Sequence, residues 1–186
     1  MKHIIIQLMI AGVFLVLAGA AAAKSAVVSI PMNSVNASTG ERGTFYVLDI
    51  SIPEDITGNR LEMVVLEFAV DAIASSEADS LETPVVGVYP VTSEFVARRG
   101  DGPVGTVEVP EIEEIVPSSR PVALGENHVL RMDITAIVTG WMSEPSSNHG
   151  LVIGTLTGPE VGGVSLNEAL PGGDVPVRVT FFYRTQ

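Results

Sequence analysis

Apart from His3, the histidines of this chain are His128 and His149, and there is no cysteine. An imidazole can ligate a transition metal or act as a general base near neutral pH, but both roles need company at short range. A zinc shell takes several N or S donors, and a catalytic base needs a nucleophile to activate. His128 and His149 lie on either side of an amphipathic segment, and no other His or Cys completes a shell. His149 therefore reads as a loop residue. The sequence contains no Gly-x-Ser-x-Gly elbow, no phosphate-binding loop and no His-Glu-x-x-His pair, and nothing singles out one serine as a nucleophile.

Carboxylates are abundant, at 22 Asp+Glu. Glycoside hydrolysis asks only that two of them face each other across a sugar, so such pairs are unavoidable on paper and point to no reaction. The chain reads as non-enzymatic. Calcium is the one ion these acids would suit, because hard cations take loop carboxylates and backbone oxygens. Asp49, Asp55 and Asp71, with Glu54, Glu77 and Asp79, fall where loops meet strands and are the candidate ligands; the alternative is a set of solvated acids. No other cofactor is implied. Sugar binding would use exposed aromatic faces ringed by polar groups. Most of the aromatic residues fall on expected core faces, which leaves Tyr89, Phe95 and Phe182 as candidate ligand-binding rings.

The elements that would hold these groups are short and mostly extended. "TFYVLDISI" places Tyr46, Leu48, Ile50 and Ile52 on one face and Phe45, Val47 and Asp49 on the other. "LEMVVLEFAVDA" gathers Val64, Leu66, Phe68 and Val70 opposite Glu67 and Asp71. "VPVRVTFFY" sets Val177, Val179, Phe181 and Tyr183 against Arg178, Thr180 and Phe182. Further runs of this kind lie at 26–30, 84–91, 104–109, 127–134 and 150–156, with a short one near Val164–Leu166. Residues 75–84, 98–103 and 111–121 read as exposed connections. Period-two runs separated by Gly, Pro, Asn and Asp, without long amphipathic helices, predict an all-β antiparallel sandwich.

One segment breaks the pattern. In "DITAIVTGWMSEPSSNHGLVI" the apolar residues Ile134, Ile137, Val138, Trp141 and Met142 recur at helical spacing. They predict a short helix over about 134–143 that caps the core with Trp141 inward. Asp133 suits the helix N-terminus as hydrogen-bond acceptor and anion, and Pro145 ends the segment. Gly150 supplies a turn before the next strand.

A strand ending in Asp133-Ile-Thr135, a short helix carrying Trp141, a polar loop and then Asn148-x-Gly150-Leu151 resembles the signature of DNRLRE-type domains. "LDISIPEDITGNRLEMVVLEFAV" and the closing "VPVRVTFFY" are similar to that family's opening and final strands. The resemblance implies a jelly-roll-like secreted β-sandwich, related to a carbohydrate-binding module family and to the growth-factor propeptide fold. It also implies an extracellular binding or structural role.

The first residues agree with secretion. Lys2 and His3, the apolar run from Ile4 to Leu17 and the small residues up to Ala23 have the order of a signal peptide. Removing 1–23 (186 minus 23) leaves 24–186 as one domain of 163 residues, and loss of Lys2 takes the formal charge from −12 to −13. So acidic a chain excludes nucleic acid and anionic lipid as main partners, and no membrane contact is expected after cleavage. The expected role is extracellular or cell-envelope recognition, with polysaccharide or other surface proteins as partners. The alternative is a self-associating structural subunit of a surface layer or appendage. Two short motifs carry little weight: Arg99-Gly-Asp101 suits a turn, and the sequon at Asn36 matters only in a glycosylating pathway.

Overall fold

A computed structural model describes residues 22–40, 43–73, 84–93, 118–121, 127–155 and 163–185. Phe95, Glu77, Asp79, the Arg99–Asp101 tripeptide, the expected strand at 104–109 and nearly all of the expected signal peptide lie outside these residues. The described strands are β1 (Ala23–Ile30), β2 (Val35–Gly40), β3 (Gly43–Leu48), β4 (Arg60–Ile73), β5 (Val85–Pro90), β6 (Ser118–Pro121), β7 (Asn127–Asp133), β8 (Leu151–Thr155), β9 (Gly163–Leu166) and β10 (Val177–Arg184). The α-helix among them is α1 (Thr135–Ser143).

Two antiparallel sheets form. Sheet A runs β1-β10-β4-β7, with β9 also on β4, and sheet B runs β2-β3-β8-β5-β6. Setting β2 and β9 aside, the remaining eight strands pair first with last and then inward: β1 with β10, β3 with β8, β4 with β7, β5 with β6. A long hairpin rolled up on itself has this nesting, and the contacts of β10 with β4 and of β8 with β5 close the roll. This is the jelly-roll solution to sheet packing. Val70 of β4 pairs with both His128 of β7 and Leu166 of β9, so β9 takes the same edge of β4 as β10. β9 and β10 are thus two halves of one line, interrupted by residues 167–176.

The inward residues are those the alternation selects. Leu48, Val64, Leu66, Phe68, Val70, Val177, Val179 and Phe181 are fully buried in one core to which both sheets contribute. Two elements escape the alternation. β2 is a polar edge strand, VNASTG, and β6, SSRP, occupies part of the stretch expected as a connection; neither sequence carries an apolar alternation.

The corner behaves as its sequence predicts. α1 buries Ile137, Val138 and Trp141 over one end of the core, with Ile134 buried at its start. The Asp133 carboxylate accepts from the Thr135 N–H at 2.9 Å, and the Thr135 hydroxyl, itself donating to Asp133, accepts the Val64 N–H at 2.8 Å. The first helical turn is thereby tied to β4. Asn148 Nδ2 donates to the Ile50 carbonyl at 2.9 Å while its Oδ1 accepts from the Gly150 N–H at 3.2 Å. Gly150 has φ +95°, and a Cβ there would collide with the Leu48 carbonyl oxygen, so glycine is demanded twice over.

Candidate functional site

The expected ligand-binding rings separate. Tyr89 is not a surface ring: it is 2% exposed, packed with Phe45, Val47, Val91 and Val152 on the outer face of sheet B. Gly87 and Gly154 are paired across β5 and β8 on that face. A Cβ at Gly87 would strike the Tyr89 ring, and one at Gly154 the Phe45 ring, so the two aromatics lie down over the two glycines. The Tyr89 hydroxyl finds no hydrogen-bond partner among the described residues, and burial pushes it up to about 12 from 10. Alternation alone placed Tyr89 off the main core without revealing that this second face is covered.

Phe182 is the ring that meets solvent, at 36% exposed. It stands on the outer face of sheet A, since its neighbours Phe181 and Tyr183 point into the core. Its row across the sheet is Ser25–Phe182–Met63, and the next is Val27–Thr180–Val65. Val27 and Met63 are exposed large apolar residues, so with Phe182 they make an apolar strip across β1, β10 and β4. Strip residues on adjacent strands are direct or diagonal neighbours, within reach of one another.

Arginines held by two glutamates surround the strip. Glu67 on β4 takes Arg131 of β7 at 2.6 Å on one carboxylate oxygen and Arg178 of β10 at 3.4 Å on the other. Arg184 holds Glu62 at 2.7 Å, with Arg60 opposite Arg184 on β4. Ion pairs with one partner open to solvent add little stability, about 0–1 kcal/mol each, but they fix guanidinium planes beside the ring.

The calcium candidates do not gather. Asp49 and Asp55 sit on the connection before β4, whereas Asp71 is eleven residues beyond Arg60. At roughly 3.3 Å per residue that is about 36 Å of strand, of which the five residues from Asp55 to Arg60 could recover at most about 17 Å, so Asp55 and Asp71 share no ion. No group of three or more His, Cys, Asp or Glu side chains suited to a metal occurs among the described residues. His128 is the second residue of β7, and His149 follows α1 at the turn into β8.

A second concavity lies at the corner. Val91, Ile137 and Trp141 floor an open groove of about 630 Å³, with Glu144, Ser147 and His149 at its rim. Trp141 is 3% exposed and offers only an edge, and the Ser147 hydroxyl already donates to the Glu144 carbonyl at 2.7 Å. The indole is a wall of the fold, not a stacking platform.

Fold and site together define an all-β, jelly-roll-like sandwich with an exposed aromatic strip on one sheet and a covered aromatic cluster on the other. No protein-family model matches the chain, and no curated protein matches it. Among the described residues no helix is long and apolar enough to cross a membrane.

Proposed function

We propose that this protein is a secreted, non-enzymatic recognition module that binds an uncharged polysaccharide on the outer face of sheet A, with Phe182 as the ring against which a sugar packs. The observation that carries this reading is the exposed Phe182 ring, set in a strip with Met63 and Val27. Sugar rings pack their C–H faces on such surface while their hydroxyls exchange hydrogen bonds with neighbours, here Ser25, Thr180 and the guanidinium of Arg184. An uncharged polymer is favoured because Glu62 and Glu67 already hold the nearby guanidinium groups and a chain of net charge −12 repels polyanions. The flatness of a sheet face suits a polymer better than a small molecule. The likeness of Asp133, Thr135, Trp141, Asn148, Gly150 and Leu151 to DNRLRE-type domains, and the signal-like first residues, support the extracellular setting. A second reading, a self-associating subunit of a surface layer, is favoured by the exposed edge of β1.

The test is affinity electrophoresis against neutral glucans, mannans and xylans alongside uronate-rich polymers. A neutral polymer is expected to retard the protein, and Phe182→Ala is expected to weaken that retardation about tenfold, equivalent to about 1.4 kcal/mol. Gly140→Ala, in the corner groove, is expected to leave it unchanged. Absence of retardation by every neutral polymer, or full retardation of Phe182→Ala, overturns the proposal.

A further inference from the structure

Among the described residues β1 is an end strand of sheet A, and it pairs with β10 over eight consecutive residues without a register shift. Ala23, Lys24, Ser25, Val27 and Ser29 are all exposed, and Val27, at 56%, is the most exposed large apolar residue among those described. An edge strand offers a row of N–H and C=O groups to any extended chain, and proteins ordinarily blunt it with charge, proline or a bulge. β7, the other end of sheet A, carries Arg131 and Asp133, and β6 of sheet B carries Arg120 and Pro121. β2 is uncharged with a mostly polar sequence, VNASTG, and β9, paired only with β4, is four residues long and so a short edge. β1 has Lys24 near one end and no acid, proline or bulge.

From this edge we infer that two copies of the chain pair antiparallel through β1, forming a two-fold dimer with a continuous sheet across the junction. The occupant is a second copy because the edge is self-complementary. A two-fold through Val27 sets Val27 against Val27 of the other copy, Ser25 against Ser29, Ala26 against Val28 and Lys24 against Ile30. Residues of one face meet residues of the same face, as antiparallel pairing requires. The two Lys24 side chains fall at opposite ends. In a chain of net charge −12 this acid-free strand also adds no acid–acid repulsion at the junction. The strip Met63–Phe182–Val27 then runs without a break into its symmetry mate, covering Val27 and leaving both Phe182 rings on one face. This dimer does not depend on the sugar-binding reading, although two coplanar sites would strengthen binding to a repetitive polymer through effective concentration.

The experiment is sedimentation of the purified protein over a wide concentration range, joined to cross-linking. The chain has no cysteine, so Val27→Cys introduces one thiol, and a thiol opposite its own mate lies within disulfide reach. A mass that doubles with concentration is expected, with Val27→Cys oxidising to a covalent dimer at least tenfold faster than Val129→Cys on the β7 edge. Val27→Lys is expected to move dimerisation to at least tenfold higher concentration, with an unchanged melting temperature at concentrations where both proteins are monomeric. A monomer at every concentration, equal oxidation of the two cysteine variants, or a dimer indifferent to Val27→Lys overturns the inference. Loss of sugar binding with dimerisation intact, or the reverse, tells which of the two proposals fails.

Discussion

The two sheets wear their outer faces differently. On sheet B, Phe45 and Tyr89 lie flat over Gly154 and Gly87 and are buried with Val47, Val91 and Val152. On sheet A, Phe182, Met63 and Val27 stand in solvent among paired arginines and glutamates. Both faces come from the same alternation and both carry aromatic rings. Alternation tells which residues share a face; whether that face is dry depends on what else packs there. An aromatic residue off the main core is therefore a solvent-facing ring on sheet A and part of a second core on sheet B.

The contrast is easiest to break through stability. Phe45→Ala is expected to cost about 3–5 kcal/mol, the range for truncating a buried ring, and Phe182→Ala less than about 1 kcal/mol. Urea unfolding of the two variants reads this directly, and similar losses would erase the distinction between the faces. Gly154→Ala sharpens it: the new methyl collides with the Phe45 ring, so a loss of about 1–3 kcal/mol is expected from overpacking.

Tyr89 gives a gentler probe. Its hydroxyl is buried without a partner among the described residues, so Tyr89→Phe is expected to be neutral or to stabilise by about 1 kcal/mol. Burial raises its folded pKa from 10 to about 12, so the folded state keeps a proton that the unfolded state releases. That contribution is whole below pH 10 and is lost as pH rises from 10 toward 12; melting curves across this window should flatten in Tyr89→Phe. The smallest effect belongs to the corner groove. A Cβ on Gly140 meets nothing within 4 Å, so Gly140→Ala should raise stability by up to about 1 kcal/mol in thermal unfolding through helix propensity.

Much of this molecule was legible in its sequence where one physical signal dominated. The period-two runs of β3, β4 and β10 named the inward residues because each strand has one face in the main core. The helical spacing around Trp141 located α1, with its first residue at Thr135; Asp133, which accepts from the Thr135 N–H, marked its start, Pro145 its end, and Gly150, with its positive φ, the turn before β8. β2 and β6 were silent because their sequences, VNASTG and SSRP, are nearly without apolar residues, unlike the edge strands β1 and β7. Tyr89 misled because its burial comes from a second packing layer that no local pattern encodes. Asp71 was grouped with Asp49 and Asp55 by residue type, while their separation is set by the length of β4, a tertiary fact.

The most direct measurement of the central claim, that sheet A presents the recognition face, is an amide NMR titration of the labelled protein with the polysaccharide that retards it. Shifts concentrated on Ser25, Met63, Thr180 and Phe182 are expected. Shifts concentrated instead on Thr92, Gly140, Ser146 and His149 would contradict the account and move recognition to the groove beside Trp141.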